Sequence, residues 1–320
     1  MPNRPILVVA GEPNSVFLEI FFKSIKRINY KNPIILIVSK KLLIKQMKSL
    51  NFNYKIKTVN KNFLGLDHLD NKFINIINVD YIFKKPFEEI SLKSNKYINK
   101  CFDVALNILT SNKNCSLING PVAKRFFLRG TFSGITEYLA DKTNIKNVAM
   151  LIYNKKLSVS PITTHLPLKV VHNSISKKKI IDHVKLIHNF YKKKLKRSPK
   201  IAITGLNPHC ESNYKSSEEE KIIIPAIVAL SKKKYLVKGP FPADTIFMKQ
   251  NLKKYDVVIG MYHDQVLAPI KTLFEFDAIN ITLGLPFVRV SPDHGPNSSM
   301  LGKNLSKPQS LIEALKLLDK

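Results

Sequence analysis

The feature that most constrains this chain is the alternation, along almost its whole length, of short β-branched and aliphatic runs with longer amphipathic stretches. Period-two strands set between period-3.6 helices are the sequence signature of α/β architecture. Strands are predicted over 6–10, 34–38, 74–79, 116–118, 149–153, 158–163, 200–204, 257–260 and 278–283. The clearest helix is predicted over 177–195, where Ile180, Ile181, Val184, Ile187 and Tyr191 form one stripe. Another is predicted to start at Ser216 and Ser217, with a serine as cap and Glu218, Glu219 and Glu220 complementing the helix dipole. A closing helix, with Pro308 in its first turn, is predicted over 311–318. No internal repeat or low-complexity linker interrupts the pattern, and the motif-poor part lies between about residues 40 and 100.

The apolar runs are too short and too often broken by charge to span a bilayer. The segment 6–10 is too brief for a signal peptide and reads as a core strand. Cys101, Cys115 and Cys210 are odd in number and lack metal or redox spacing, which fits reduced thiols and a cytoplasmic protein. A net charge of +29 raises the question of nucleic acid. The excess is mainly lysine spread over the chain, however, and no nucleic-acid motif accompanies it. No specific nucleic-acid partner is expected, although such a field draws in an anionic substrate.

Three histidines share one context: His165, His209 and His263 each follow the end of a predicted strand. In open α/β sheets, ligands sit beyond the carboxyl ends of strands, so three such residues can converge. Three imidazoles with an open fourth position are the ligand set of a catalytic metal site. The other reading is that each is an ordinary loop histidine. His172, His183 and His188 lie on predicted helices among lysines and are expected at the surface, as is His68. Two carboxylates stand nearby. Asp264 follows His263 and can take a proton or orient a ligand imidazole; Asp244 can do the same or cap a helix. Downstream, Lys271, Asn280 and Arg289 form a polar series. Arg289 lies in an apolar stretch, suited to a phosphate or carboxylate or to an ion pair with Asp293. Gly11-Glu-Pro lacks the glycines of a dinucleotide fingerprint, and no phosphate-binding P-loop occurs.

Taken together, several segments resemble the 4-hydroxythreonine-4-phosphate dehydrogenases. They are Gly11-Glu-Pro, Asn119-Gly-Pro-Val-Ala-Lys124, Phe132-Ser-Gly-Ile-Thr-Glu-Tyr-Leu-Ala140, Thr163-Thr-His-Leu-Pro-Leu168, Gly205-Leu-Asn-Pro-His209, the stretch from Gly239 to Asp244, Met261-Tyr-His-Asp-Gln265, and the stretch from Asn280 to Arg289 with Asp293-His-Gly295. The resemblance implies an isocitrate/isopropylmalate dehydrogenase-like fold of two α/β lobes around a central cleft. Residues 1–128 with 275–320 would form one lobe and 129–274 the other. It implies a homodimer with a shared active site, in which His165, His209 and His263 bind a divalent metal (zinc, cobalt or magnesium) and one ligand comes from the partner subunit. It further implies Thr136, Lys271, Asn280 and Arg289 as contacts to a small phosphorylated hydroxy acid, and His294, Gly295 and Gly302 in the loop that binds NAD. The implied reaction is metal-assisted oxidation of 4-phosphohydroxy-L-threonine to a 3-oxo acid that loses carbon dioxide, a step in pyridoxal phosphate biosynthesis. Asp264 and Asp244 are the carboxylates available for proton transfer.

This sequence departs from that family at several points. Ile135 stands where the family carries a substrate-contacting histidine, and one hydrogen bond to an anionic group is worth about 1.5–3 kcal/mol. Cys210-Glu-Ser-Asn-Tyr-Lys215 replaces a glycine-rich run, and glycines are missing after Pro13 and around 297–300. These departures leave two other readings open: a dehydrogenase of another phosphorylated four-carbon hydroxy acid, or a metal- or anion-binding relative without turnover.

Overall fold

A computed structural model describes residues 4–60, 69–210, 216–275, 278–292 and 294–320. Two compact units emerge, Met1–Ser133 with Pro286–Lys320, and Gly134–Leu285. His68 and Asp293, singled out in the sequence, lie outside the described residues.

In the first unit the strands run β1 (Ile6–Val9), β2 (Ile34–Val38), β3 (Ile56–Thr58), β4 (Ile74–Asn78), β5 (Ser116–Asn119) and, after the chain returns, β12 (Arg289–Pro292). Their spatial order is β3-β4-β2-β1-β5-β12, and every adjacent pair is parallel. β1, β2, β5 and β12 are buried at every position. Continuous burial of this kind is expected where helices cover both faces of a parallel sheet. Helices Phe17–Arg27, Lys40–Ser49, Asn95–Ser111 and Gln309–Leu318 belong to this unit. Ser39 caps the second of them by accepting from the Leu42 N–H.

The second unit contains β6 (Ala149–Tyr153), β7 (Ser158–Pro161), β8 (Ile201–Thr204), β9 (Val237–Phe241), β10 (Val257–Gly260) and β11 (Ile279–Leu283). Their order is β11-β6-β7-β10-β8-β9. β6 pairs antiparallel with both its neighbours, whereas β7, β10, β8 and β9 are mutually parallel. Met150, Ile152, Val159, Ala202, Val258 and Val266 form part of its core. Helices Ile135–Lys142, Lys177–Phe190, Ile224–Lys232 and His263–Phe274 belong to this unit.

The predicted strands are present, several of them a residue or two shorter, and three more were not predicted. β3 is a short strand with exposed polar positions, β9 contains Gly239 and Pro240, and β12 opens on an arginine. None has the apolar run on which the reading relied. The long helix ends at Phe190 and passes into a wider π-type turn, Tyr191–Leu195. The serine cap holds, since Ser217 Oγ accepts from the Glu220 N–H at 3.3 Å.

The surface assignment of His183 is corrected. The residue is 5 % exposed, and its Nε2 lies 2.6 Å from Ser160 Oγ. It falls on the same buried stripe as Ile180, Val184 and Ile187, so helical phase outweighs its lysine neighbours. His172 is exposed, and His188 is half-buried with its ring edge-on to Tyr235.

Burial, and secondarily the charge of Lys179, pushes the His183 imidazole down to about 3. The folded state therefore keeps it neutral, while the unfolded chain takes up a proton below about pH 6.5. Its contribution to stability is present above pH 6.5 and is lost as pH falls towards 3, at up to about 1.4 kcal/mol per pH unit. Thermal unfolding between pH 7 and 5 should fall less steeply for His183→Gln than for the unsubstituted protein. Parallel slopes would rule this histidine out as a source of acid sensitivity.

Candidate active site

The second unit carries its polar motifs at one end of its parallel strands. β10 pairs with β7 through Val257↔Ser158 to Gly260↔Pro161, and with β8 through Val257↔Ile201 to Ile259↔Ile203. The three strands thus end level with one another. The loop after β7 carries His165, the turn after β10 carries His263, and the loop after β8 carries His209. The imidazoles of His165 and His263 stand with their centroids 5.9 Å apart. Among the described residues, no three His, Cys, Asp or Glu side chains converge closely enough to hold a metal ion, so His209 does not complete the pair within one chain.

His263 opens the helix His263–Phe274, and its Nδ1 lies 2.6 Å from Asp264 Oδ1. A carboxylate on one ring nitrogen fixes the tautomer and leaves the other nitrogen free to bind a ligand. Asp244 lies exposed in the first turn of the short helix Ala243–Ile246, whose cap position is Pro242. The capping alternative for Asp244 is therefore corrected. That helix packs beside the Pro208–Cys210 turn, which carries His209.

His209 and Cys210 adopt left-handed backbone angles, φ 59° and 57°. A non-glycine residue held there costs on the order of 1–3 kcal/mol and persists only where its surroundings enforce it. Two polar side chains flank this loop. Glu219 Oε1 accepts from the N–H groups of Leu206 (2.7 Å) and Asn207 (2.9 Å), and its Oε2 from Asn207 Nδ2 (2.8 Å). Gln265 Oε1 accepts from Thr204 Oγ1 (2.9 Å) and the Met261 N–H (2.7 Å), while its Nε2 donates to the Gly205 carbonyl (2.8 Å). Burial alone would raise the Glu219 pKa. The N–H groups of Asn207 and Leu206 outweigh burial and hold it below the usual carboxylate value.

Thr136 lies in the first turn of Ile135–Lys142, its Oγ1 3.1 Å from Thr282 Oγ1 on β11. Asn280 is two residues before Thr282 and so faces the same side of the strand. Within the second unit, the buried side-chain atoms without a hydrogen-bond partner among the described residues are Glu137 Oε2 and Asn280 Oδ1. Both are acceptors, and both lie in the motif segments. Lys271 is half-buried on the His263 helix, and burial lowers its pKa. Ile135, 9 % exposed, is buried at the start of its helix.

In the first unit Arg289 is 3 % exposed, and its Nε donates to Asn119 Oδ1 at 2.7 Å. Asn119 ends β5, the strand next to β12, so the Asn119-Gly-Pro segment helps aim the guanidinium. Beyond β12, His294 Nδ1 lies 2.9 Å from the Gly295 carbonyl, and its Nε2 is buried with no hydrogen-bond partner among the described residues. Burial lowers the pKa of this imidazole, partly offset by the hydrogen bond with Gly295. Gly302 has φ +75°, and a Cβ there would meet the Phe87 ring at 3.0 Å.

Sequence reading missed Asn119, Glu219 and Gln265 as individual positions. Asn119 and Gln265 are inside the quoted motifs, which was the available signal. Glu219 was read as complementing its helix dipole, whereas its carboxylate reaches back to the preceding loop.

Solved structures with this architecture include the isocitrate dehydrogenase of Methylococcus capsulatus, at TM-score 0.51 and 9 % identity over 98 % of this chain and 84 % of that one, a likeness of fold alone. A 4-hydroxythreonine-4-phosphate dehydrogenase from Klebsiella pneumoniae superposes at TM-score 0.84, with 27 % identity over 99 % of this chain and 97 % of that one. The chain is a dehydrogenase of the isocitrate/isopropylmalate dehydrogenase-like fold. Residues 29–318 match the family described as pyridoxal phosphate biosynthetic protein PdxA, and the chain belongs to that family. A relative from Sulfurihydrogenibium sp. (strain YO3AOP1), named 4-hydroxythreonine-4-phosphate dehydrogenase, is 37 % identical over 98 % of this chain and 96 % of its own length. Another, from Oceanobacillus iheyensis, is named provisionally for D-threonate 4-phosphate and is 31 % identical over 98 % of this chain and 97 % of its own.

Gly239 has φ +144°, and a Cβ there would lie 2.4 Å from the Ile203 carbonyl oxygen on β8. Gly239→Ala should destabilise the protein by roughly 1–3 kcal/mol, read as a lower urea midpoint. An unchanged midpoint would mean that β9 can move away from β8 without loss.

Proposed function

We propose that this protein catalyses the NAD-linked, divalent-metal-dependent oxidation of 4-phosphohydroxy-L-threonine to a 3-oxo acid that decarboxylates to 3-amino-2-oxopropyl phosphate. The observation that carries the reading is the imidazole pair at level strand ends, within a chain of this family. Imidazoles bound to one ion at about 2.0–2.1 Å have ring centres roughly 5–6 Å apart. The 5.9 Å between His165 and His263 fits that geometry, and the Asp264 contact fits a ligand imidazole. In this reading a homodimer in the cytoplasm shares the site, and the trio His165, His209 and His263 is completed across the two copies. A divalent cation held there would supply Lewis acidity towards the substrate hydroxyl. The unpartnered His294 Nε2, with Gly295 and Gly302 in the same loop, suits a nucleotide ligand, and NAD would supply the hydride acceptor.

The remaining work belongs to this chain's own side chains. Arg289, aimed by Asn119, and Lys271 would hold the anionic groups of the substrate and fix the reacting carbon. Thr136 and the free acceptor of Asn280 would bind its polar groups. Asp264 would hold the His263 tautomer, and Asp244, on the helix beside the His209 turn, would be available to accept the hydroxyl proton.

A second reading, oxidation of another phosphorylated four-carbon hydroxy acid, is favoured by Ile135, which removes one polar contact. NAD reduction with 4-phosphohydroxy-L-threonine and added divalent metal separates the two when run beside D-threonate 4-phosphate. The expected result is metal-dependent turnover of the amino substrate that His209→Ala abolishes. Turnover of the threonate alone would transfer the assignment to the second reading, and no turnover of either from folded, metal-loaded protein would reject both. Asp264→Asn should weaken metal binding about 10–100-fold if Asp264 orients the imidazole. A fall in kcat at unchanged metal affinity would make it the proton acceptor instead.

A further inference from the structure

The loop that carries His294, Gly295 and Gly302 is anchored at two points to the turn that follows β1. The Val16 N–H donates to the Pro296 carbonyl at 3.1 Å, a direct tie near the start of the loop. The second tie runs through Phe87, whose ring lies against Gly302, so that a Cβ there would come within 3.0 Å of it. The backbone on either side of Phe87 is bonded to the turn or to its neighbour. The Glu88 N–H donates to Asn14 Oδ1 at 3.0 Å, and Gln46 Nε2 donates to both the Pro86 carbonyl (2.7 Å) and the Pro13 carbonyl (2.9 Å). The turn is itself held in shape. The Glu12 carboxylate accepts from the Asn14 N–H (3.2 Å) and the Ser94 hydroxyl (2.9 Å), and the Glu12 N–H donates to the Pro121 carbonyl (2.8 Å). From Glu12 to Val16 the turn contains no glycine, and its buried polar side chains hold it instead.

We propose that Asn14 and Gln46 are positioning residues that join the turn after β1 and Phe87 into one frame for the loop 294–302, and so set this chain's affinity for NAD. The proposal rests on the NAD-linked reading above, and every residue in it belongs to the first unit of one chain. Both side chains are buried, and a shift of either leaves backbone groups unpaired in a dry interior. With Pro296 and Gly302 both held, the loop pays little ordering entropy when a nucleotide binds. Removing a bond of the frame admits loop conformations that cannot bind, and the apparent affinity falls by the fraction lost.

The test is equilibrium NADH binding to the full-length protein, followed by the emission of the nucleotide. Asn14→Ala, Gln46→Leu and Phe87→Ala should each weaken binding about 5–20-fold. Amide hydrogen exchange over residues 294–302 should quicken in the same three variants. Asn71→Ala is the control: it removes bonds to the Tyr30 and Asn32 carbonyls and the Ile34 N–H, at the opposite end of β2. It should lower thermal stability while leaving NADH affinity and exchange in the loop unchanged. Normal NADH affinity in both Asn14→Ala and Gln46→Leu, or an equal loss in Asn71→Ala, would overturn the proposal and leave the reading of function standing. Weaker binding with unchanged exchange would also overturn it, since the side chains would then act on the nucleotide directly. If the unsubstituted protein binds no NADH, the NAD-linked reading fails and the positioning role falls with it.

Discussion

The hydrogen-bonded register of three neighbouring parallel strands is the constraint on which the rest depends. β10 lies between β7 and β8, paired residue for residue with each, so the three strands end at one height. A slip of one residue would turn every side chain of a strand to the opposite face, and the buried Val159, Ala202 and Val258 forbid it. The histidine loops inherit their common level from that apolar agreement. The level of the strand ends is thus set chiefly by apolar packing beneath them.

Polar groups then refine what packing sets roughly. Gln265, Glu219 and the Asn119–Arg289 pair are buried hydrogen-bonding side chains that connect one loop or strand end to another. Buried polar groups must be satisfied, and satisfaction by several partners at once restricts geometry more tightly than apolar contact does. The unpaired acceptors of Glu137 and Asn280 are the counterpart. They lie where the motifs concentrate, and a buried acceptor without a protein partner is a place where a ligand's donor is welcome. The two units each use this division of labour, with apolar strands beneath and polar loops above.

Much of this was legible from the residues in order. The apolar runs at β1, β2 and β10 declared themselves as strands because a buried parallel strand needs no polar face. His165, His209 and His263 could be placed after strands for the same reason. β3, β9 and β12 escaped because exposed polar residues, Gly239-Pro240 and Arg289 break the apolar pattern, and only their neighbours make them strands. His183 was misread because neighbouring lysines suggest solvent, whereas its phase on the helix turns it inwards to Ser160.

The sequence by itself determined the α/β class, the family and the residue types able to carry its chemistry. These follow from periodicity and from motif order, which are properties of the chain. Tertiary structure decided which of those residues meet. It brought His165 to His263, paired Arg289 with Asn119, and turned Glu219 back onto a loop. Such meetings join positions far apart in sequence, and their distances depend on sheet register and buried hydrogen bonds. No local pattern encodes those, because each partner's position is set by strands that neither residue belongs to.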